Sequence, residues 1–151
     1  MTGAPGCAPA GRGILFQEAM SQSNQKVVAL VGHCGPDSSY LRMAVTGAVP
    51  GVRVLMIDSD ADLDGAVESG DVDLFMLNRK MDFGFEEEDG LTLLQQIRQR
   101  RPEQRVMMIS NYPETQQAAE AAGALPGFGK REIGSAKAKE RISAALAEAM
   151  A

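Results

Sequence analysis

Four apolar runs of strand length divide the chain after residue 25. They cover residues 26–32, 52–57, 72–77 and 105–110. Runs with so few polar positions are typical of parallel strands that are covered by helices on both faces of a sheet. A fifth, weaker run at 124–129 contains Pro126 and two glycines, which only an edge strand tolerates.

Helical periodicity fills the intervals between these runs. Apolar or small residues recur at spacings of three and four in five segments, 41–48, 63–67, 91–97, 115–122 and 142–149, and Asp37 and Ser38 are the expected caps of the first. Five βα units in this order predict an α/β fold, the flavodoxin-like doubly wound five-stranded parallel sheet of (βα)5 type with strand order 2-1-3-4-5.

The amino-terminal segment differs in composition from the rest. Residues 1–24 are dominated by Gly, Pro, Ser and Ala and hold few large apolar side chains, so they cannot form a core. We expect a disordered or loosely docked tail over 1–24 and one domain over 25–151, with the apolar residues 14–16 able to dock somewhere.

Charge and cysteine content narrow the functional classes. A net charge of −5 without a basic cluster argues against a nucleic-acid partner. Two cysteines are too few for a disulfide framework, no apolar run has membrane-spanning length, and the first residues lack a signal sequence. We therefore expect a cytoplasmic protein with no membrane partner.

Polar residues follow the predicted strands where a ligand site is expected. In a doubly wound sheet this site lies beyond the carboxyl ends of the strands, where strands 1 and 3 diverge. Four strands deliver polar or small residues to that edge: Gly32, His33 and Cys34 from strand 1, Asn78 from strand 3, Ser110 and Asn111 from strand 4, and Lys130 from strand 5. Arg79 and Lys80 follow Asn78 and are expected to be solvated.

Five segments carry a family resemblance. "MLNRK", "EDGLTLLQQIR", "VMMISNY", "AAEAAGA" and "GFGK" occur in this order. Together they resemble the response-regulator receiver domain, the CheY-like domain of two-component systems, over nearly all of residues 26–148. The resemblance implies a signal-transduction module of the phosphorelay type.

The chemistry of that family is only partly present. Lys130 stands where the family has its phosphate-contacting lysine, and Ser110 where it has its hydroxyl. Asn78 replaces the phosphoacceptor aspartate, and Gly32 and His33 replace the acidic pair that holds Mg²⁺. A neutral amide is no usable nucleophile, and no hard oxygen ligand for a metal remains.

Two further departures concern switching. The loop from Asn78 to Gly90 is about four residues longer than the resemblance implies, by a count that depends on the strand registers. The aromatic switch residue of the family would be Gly127. The chain therefore resembles a degenerate receiver, a pseudo-receiver.

Individual residues admit alternative interpretations. Asn78 either bonds its own loop or, as we prefer, accepts a hydrogen bond from Lys130. His33 is either a pH switch or, more plainly, polar filler. Cys34 beside His33 suggests a nucleophile, but no orienting third group is evident, so we expect no enzymatic activity.

Two ligand hypotheses remain beside these. The loop "GHCGPDSS", which includes Gly32, His33, Cys34, Gly35, Asp37 and Ser38, resembles an anion cradle at a helix start. Residues 60–71 match the calcium-binding loop of an EF-hand, but a strand precedes them and a helix is expected over 61–69.

The preferred interpretation is a stand-alone module that acts by phosphorylation-independent protein-protein interaction with a signalling protein, since the chain ends soon after its last predicted helix. The alternative is a small-molecule or anion sensor that binds at residues 32–39 with Lys130. We expect no cofactor and no metal. The sequence leaves the partner and the oligomeric state open.

Overall fold

The computed structural model describes residues 25–81 and 84–147. Five parallel strands form one sheet, and they are β1 (Val27–Val31), β2 (Arg53–Ile57), β3 (Leu74–Asn78), β4 (Val106–Ile109) and β5 (Leu125–Phe128). Their order is β2-β1-β3-β4-β5. This confirms the predicted topology, including the edge position of the strand that contains Pro126.

Five helices connect or follow the strands. They are α1 (Gly35–Ala48), α2 (Asp60–Ser69), α3 (Gly90–Arg100), α4 (Pro113–Ala121) and α5 (Ala136–Ala145), with a 3-10 turn over Lys130–Glu132 between β5 and α5. Side chains of Ser59, Asp89 and Ser135 accept hydrogen bonds from backbone N–H groups two or three residues into α2, α3 and α5. These bonds satisfy otherwise unpaired donors and fix where each helix begins.

The core has two layers, one on each face of the sheet. One layer joins alternate strand residues to α2, α3 and α4, with Leu63 and Leu94 at its centre. The other joins the remaining strand residues to α1 and α5, with Leu41 and Ile142 at its centre. Because β1, β3 and β4 lie between both layers, every residue of these strands is buried, as their apolar runs predicted.

The start of α1 differs from the sequence prediction. The helix begins at Gly35 with Cys34 as its cap residue, so Asp37 and Ser38 lie in its first turn and are not caps. Proline is favoured in the first turn of a helix, since its fixed φ suits a helix and its missing N–H costs no bond there. Pro36 therefore allows an earlier start than the capping residues suggested. At the other end of the domain, residue 149 lies outside the described residues.

The long loop between β3 and α3 folds back on itself. An antiparallel bridge joins Lys80 to Asp89, and the Met81 N–H donates to the Glu88 carbonyl at 2.7 Å. Met81 and Phe85 are buried. The loop thus contributes two apolar side chains to the core, one of them at the carboxyl end of the sheet.

Residues 60–71 do not form a calcium loop. The segment begins as α2, and the Asp60 carboxylate accepts a hydrogen bond from the Glu86 N–H at 2.9 Å. The expectation of a helix here is confirmed. Within the described residues, no helix combines the length and the hydropathy needed to span a membrane.

Candidate functional site

A polar crevice lies at the carboxyl edge of the sheet, between the ends of β3, β4 and β5. Its volume is about 300 Å³, and its lining residues are Asn78, Arg79, Lys80, Ile109, Ser110, Asn111, Tyr112 and Lys130. The residues expected at the carboxyl ends of strands 3, 4 and 5 therefore do lie together in one crevice. Gly32 and His33, which follow β1, do not line this crevice.

Asn78 is the last residue of β3, and its side chain is turned toward strand 1. The residue is 7% exposed, and its Nδ2 donates to the Gly32 carbonyl at 3.0 Å. A buried amide that lacked such a bond would be costly. The side chain therefore ties the ends of β3 and β1 together.

Lys130 has a partner that the sequence interpretation did not give it. Its Nζ lies 3.3 Å from Oδ2 of Asp37, with both side chains partly exposed. The expected bond from Lys130 to the Asn78 side-chain oxygen is not formed: the Asn78 amide nitrogen donates to the Gly32 carbonyl, and Lys130 pairs with Asp37. Asp37 is also favoured in the first turn of α1, because a carboxylate complements the positive end of a helix.

His33 is buried and half-satisfied. It is 7% exposed, and its Nε2 lies 2.9 Å from the Met76 carbonyl, so Nε2 carries the proton and donates. Its Nδ1 is buried and has no hydrogen-bond partner among the described residues. Burial lowers the pKa of His33 to about 4, with Lys130 acting in the same direction and the Met76 carbonyl, Asp37 and Asp58 opposing it. The imidazole is therefore neutral near pH 7.

Gly32 and Met81 are packed so closely that a side chain at position 32 would have to displace the Met81 thioether. Gly32 has φ +73°, which residues with a Cβ rarely adopt. A Cβ at this position would meet the Met81 sulfur at 2.1 Å. Met81 is fully buried, so the thioether occupies the space that a side chain of residue 32 would need. Sequence reasoning missed Met81, although the long loop that carries it was noticed.

The resemblance to receiver domains implies a Mg²⁺ ion, and the residues at its expected positions do not fit one. Gly32 offers no side chain, His33 donates to a backbone carbonyl, and Asn78 offers an amide and no carboxylate. Mg²⁺ prefers carboxylate and water oxygens in octahedral geometry. In residues 25–81 and 84–147, no group of three His, Cys, Asp or Glu side chains is placed to hold a metal ion.

The far wall of the crevice is built by the segment after β4. Ser110 is 4% exposed, and its Oγ accepts from the Tyr112 N–H at 3.1 Å. The Asn111 side-chain oxygen accepts from the Arg131 N–H at 3.1 Å, which fixes the turn that carries Lys130. The Arg79 guanidinium lies over the Tyr112 ring, 4.7 Å from its centroid. Arg79 and Lys80 are exposed.

Gly127, which stands where receiver domains have an aromatic switch residue, is packed against a backbone carbonyl and the Gln116 side-chain amide. A Cβ at Gly127 would meet the Met108 carbonyl at 2.1 Å and Gln116 Oε1 at 2.9 Å. Gln116 Nε2 donates to the Met108 carbonyl at 2.8 Å and lies 3.3 Å from the Phe128 carbonyl. Gln116 therefore joins α4 to β4 and β5 where a movable aromatic would stand. No sequence signal pointed to Gln116.

The loop 32–39 does not form an open cradle. Ser38 is buried, with its Oγ donating to the His33 carbonyl at 3.3 Å, and the Asp37 carboxylate stands at the start of α1. Cys34 is exposed, whereas His33 is buried and bonded to Met76. This arrangement gives Cys34 no base in the described residues.

Comparison with known proteins defines the fold. No protein-family model matches the chain, and no curated protein matches it. Among solved structures, a response regulator from Thermotoga maritima is similar at TM-score 0.61 and 21% identity, over 81% of this chain and 98% of that one. RcsB from Salmonella typhimurium is similar at TM-score 0.61 and 18% identity, over 82% and 67%.

A third similar structure is NtrX from Brucella abortus, with TM-score 0.58 and 25% identity over 80% of this chain. The match spans only 27% of the NtrX chain. The protein thus has the fold of a response-regulator receiver domain, the CheY-like (βα)5 fold. The resemblance read from the sequence is confirmed at the level of fold.

Proposed function

We propose that this protein is a receiver-like module of cytoplasmic signal transduction that acts by phosphorylation-independent interaction with a signalling protein. It has no catalytic role in this proposal. The domain spans residues 25–151, and residues 1–24 form a tail. The proposal follows from the receiver fold combined with a crevice whose residues are committed to structural contacts.

The packing of Met81 against Gly32 is the observation that carries this proposal. In a receiver domain that had only lost an acidic residue of its metal site, a single substitution back to Asp would restore the metal ligand. Here the position has a left-handed backbone conformation, and the Met81 sulfur fills the volume beside it. A carboxylate at position 32 would require both features to change.

Other residues of the crevice support the same proposal. Asn78 donates to Gly32, Ser110 accepts from the Tyr112 backbone, and Lys130 pairs with Asp37. A receiver that responds to phosphorylation needs these groups free to meet a phosphoryl group and a metal. Gln116, which bridges α4, β4 and β5, favours a fixed interaction surface over a switching one.

The proposal is tested by affinity capture with the full chain as bait, in extract of cells that express it. Half of the bait is first incubated with acetyl phosphate and Mg²⁺. We expect the same partner in equal amounts with either bait, and also with Asn78→Ala bait as the matched variant. A change of more than about threefold after acetyl phosphate, equivalent to roughly 0.6 kcal/mol, would contradict phosphorylation independence.

A sensor of anions is the alternative function, and one observation favours it. Arg79, Lys80 and Lys130 line one crevice together with the Ser110 hydroxyl. The Asp37 carboxylate weighs against it, because it already neutralises Lys130. Native mass spectrometry of protein purified from cells separates the two functions: a retained small anion supports the sensor, and a bare chain supports the interaction module.

A further inference from the structure

A second opening lies along α1, on the side that faces the turn between β5 and α5. It has a volume of about 820 Å³. One wall is a stripe of α1 residues, namely Tyr40, Met43, Ala44, Gly47 and Ala48. Their spacing of three and four residues places them on one face of the helix. The other wall is formed by residues within 130–139. We call this opening the α1 groove.

The α1 groove exposes apolar surface that the domain itself does not cover. Tyr40 is 62% exposed and Met43 is 67% exposed. They are two of the four exposed large hydrophobic side chains in the described part of the chain. Two such side chains one turn apart on a helix, beside a floor of small residues, indicate a docking surface. Arg131 and Lys139 on the facing wall are exposed cations.

The chain that precedes the domain enters beside one end of this groove. Gln25 Nε2 donates to the Gly51 carbonyl at 2.9 Å, and Gly51 follows shortly after Ala48, where α1 ends. The Arg53 N–H donates to the Lys26 carbonyl at 2.8 Å. These bonds hold residues 25 and 26 close to the segment that follows α1, so the chain enters the domain near the end of the groove that Ala48 lines.

We propose that residues 14–20, "ILFQEAM", dock in the α1 groove of the same chain. Phe16 and its apolar neighbours would cover Tyr40 and Met43, and Glu18, the only acid in residues 1–24, would face Arg131 and Lys139. Residues 21–24, which join this segment to the domain, span up to about 14 Å when extended. The 14-residue helix α1 is about 21 Å long. Tyr40 lies about 12 Å before the carboxyl end of α1 along the helix axis, and Met43 lies closer to that end. The linker is therefore long enough for the docked segment to reach both side chains.

This inference goes beyond the proposed function, since it rests on the exposed apolar wall of the α1 groove and not on the crevice, although Lys130 lines both openings. Its consequence is that the tail competes with any outside partner for the α1 groove. An intramolecular segment has the advantage of a high effective concentration, because its linker is short.

Amide hydrogen exchange of the full chain, followed by mass spectrometry, tests the docking. We expect peptides covering residues 14–20 to exchange at least about tenfold more slowly than an unstructured reference peptide of the same sequence. Phe16→Asp and Met43→Asp should each abolish this protection. Met56→Asp is the matched control, because Met56 is also an exposed methionine, 39% exposed, and lies outside the groove. It should leave the protection unchanged.

Three outcomes would overturn the proposal. Residues 14–20 of the wild type could exchange at the reference rate. Met56→Asp could remove protection as fully as Met43→Asp does. Protection could also fall as the protein is diluted, which would assign the groove to a second copy of the chain. Exchange in α5 serves as the folding control for each variant, since loss of protection there would show unfolding instead of tail release.

Discussion

Acidification should destabilise this protein through one identifiable residue, His33. The imidazole is buried against the Met76 carbonyl, and its pKa falls to about 4 from an ordinary value of 6.5. The unfolded chain therefore takes up a proton near pH 6.5, whereas the folded chain resists doing so until about pH 4. Stability linked to His33 is fully present above pH 6.5 and is lost as the pH falls from 6.5 towards 4.

The magnitude follows from the size of the pKa shift. Each pKa unit corresponds to about 1.4 kcal/mol, so the whole shift is worth about 3 kcal/mol. Between pH 7 and pH 5 the free energy of unfolding should fall by about 2 kcal/mol on account of His33 alone. Such a loss is a large fraction of the stability of a typical domain.

Urea denaturation followed by far-ultraviolet circular dichroism at several pH values between 7 and 5 measures this effect. His33→Gln is the control, because its amide can donate to the Met76 carbonyl but does not titrate. Over this range the free energy of unfolding of the wild type should fall by about 2 kcal/mol more than that of the variant. Because both proteins contain the same carboxylates, the difference between them isolates the contribution of His33. His33 is the only histidine, so its imidazole proton resonances give a direct titration. Parallel pH profiles for the two proteins, or a titration midpoint near 6.5, would refute the reasoning.

Two further predictions concern the packing of the crevice. Gly32→Ala should destabilise the fold by about 2 to 4 kcal/mol, because the backbone is left-handed and the new Cβ would overlap Met81. In urea unfolding, the Gly32→Ala, Met81→Ala double variant should lose less stability than the sum of the two single variants. Strict additivity of the two losses would contradict the overlap. Lys130→Ala should lower the free energy of unfolding by at most about 1 kcal/mol, because the Lys130 pair with Asp37 is partly exposed. Adding 0.5 M salt should shrink the difference in melting temperature between the wild type and this variant. A larger loss that salt does not change would mean that Lys130 has a buried role.

The fold was predictable because its signals are local and mutually consistent. The continuous apolar runs of β1, β3 and β4 predict strands that are buried on both faces, and the weaker run that contains Pro126 predicts an edge strand; both predictions agree with the structure. The start of α1 was misjudged because Asp and Ser serve equally well as caps and as first-turn residues. Only tertiary contacts, here the Asp37 pair with Lys130 and the burial of Ser38, distinguish the two.

The candidate site was predictable only in its location. The strand ends that carry Asn78, Ser110 and Lys130 do meet at one crevice. Their hydrogen-bond partners depend on side-chain direction, which no periodicity encodes, so Asn78 was wrongly paired with Lys130. Met81 comes from a loop whose length was noticed but whose path over strand 1 depends on packing.

Whether this domain can accept a phosphoryl group is measured directly by the intact mass of the full chain after incubation with acetyl phosphate and Mg²⁺. The mass of the wild type should be unchanged. The mass of Asn78→Asp should also be unchanged, because phosphoryl transfer depends on a metal ion that neutralises the developing charge, and the Met81 sulfur fills the space that a metal-binding side chain at position 32 would need. A gain of one phosphoryl group in the wild type that hydroxylamine removes, or rapid labelling of Asn78→Asp, would contradict these expectations.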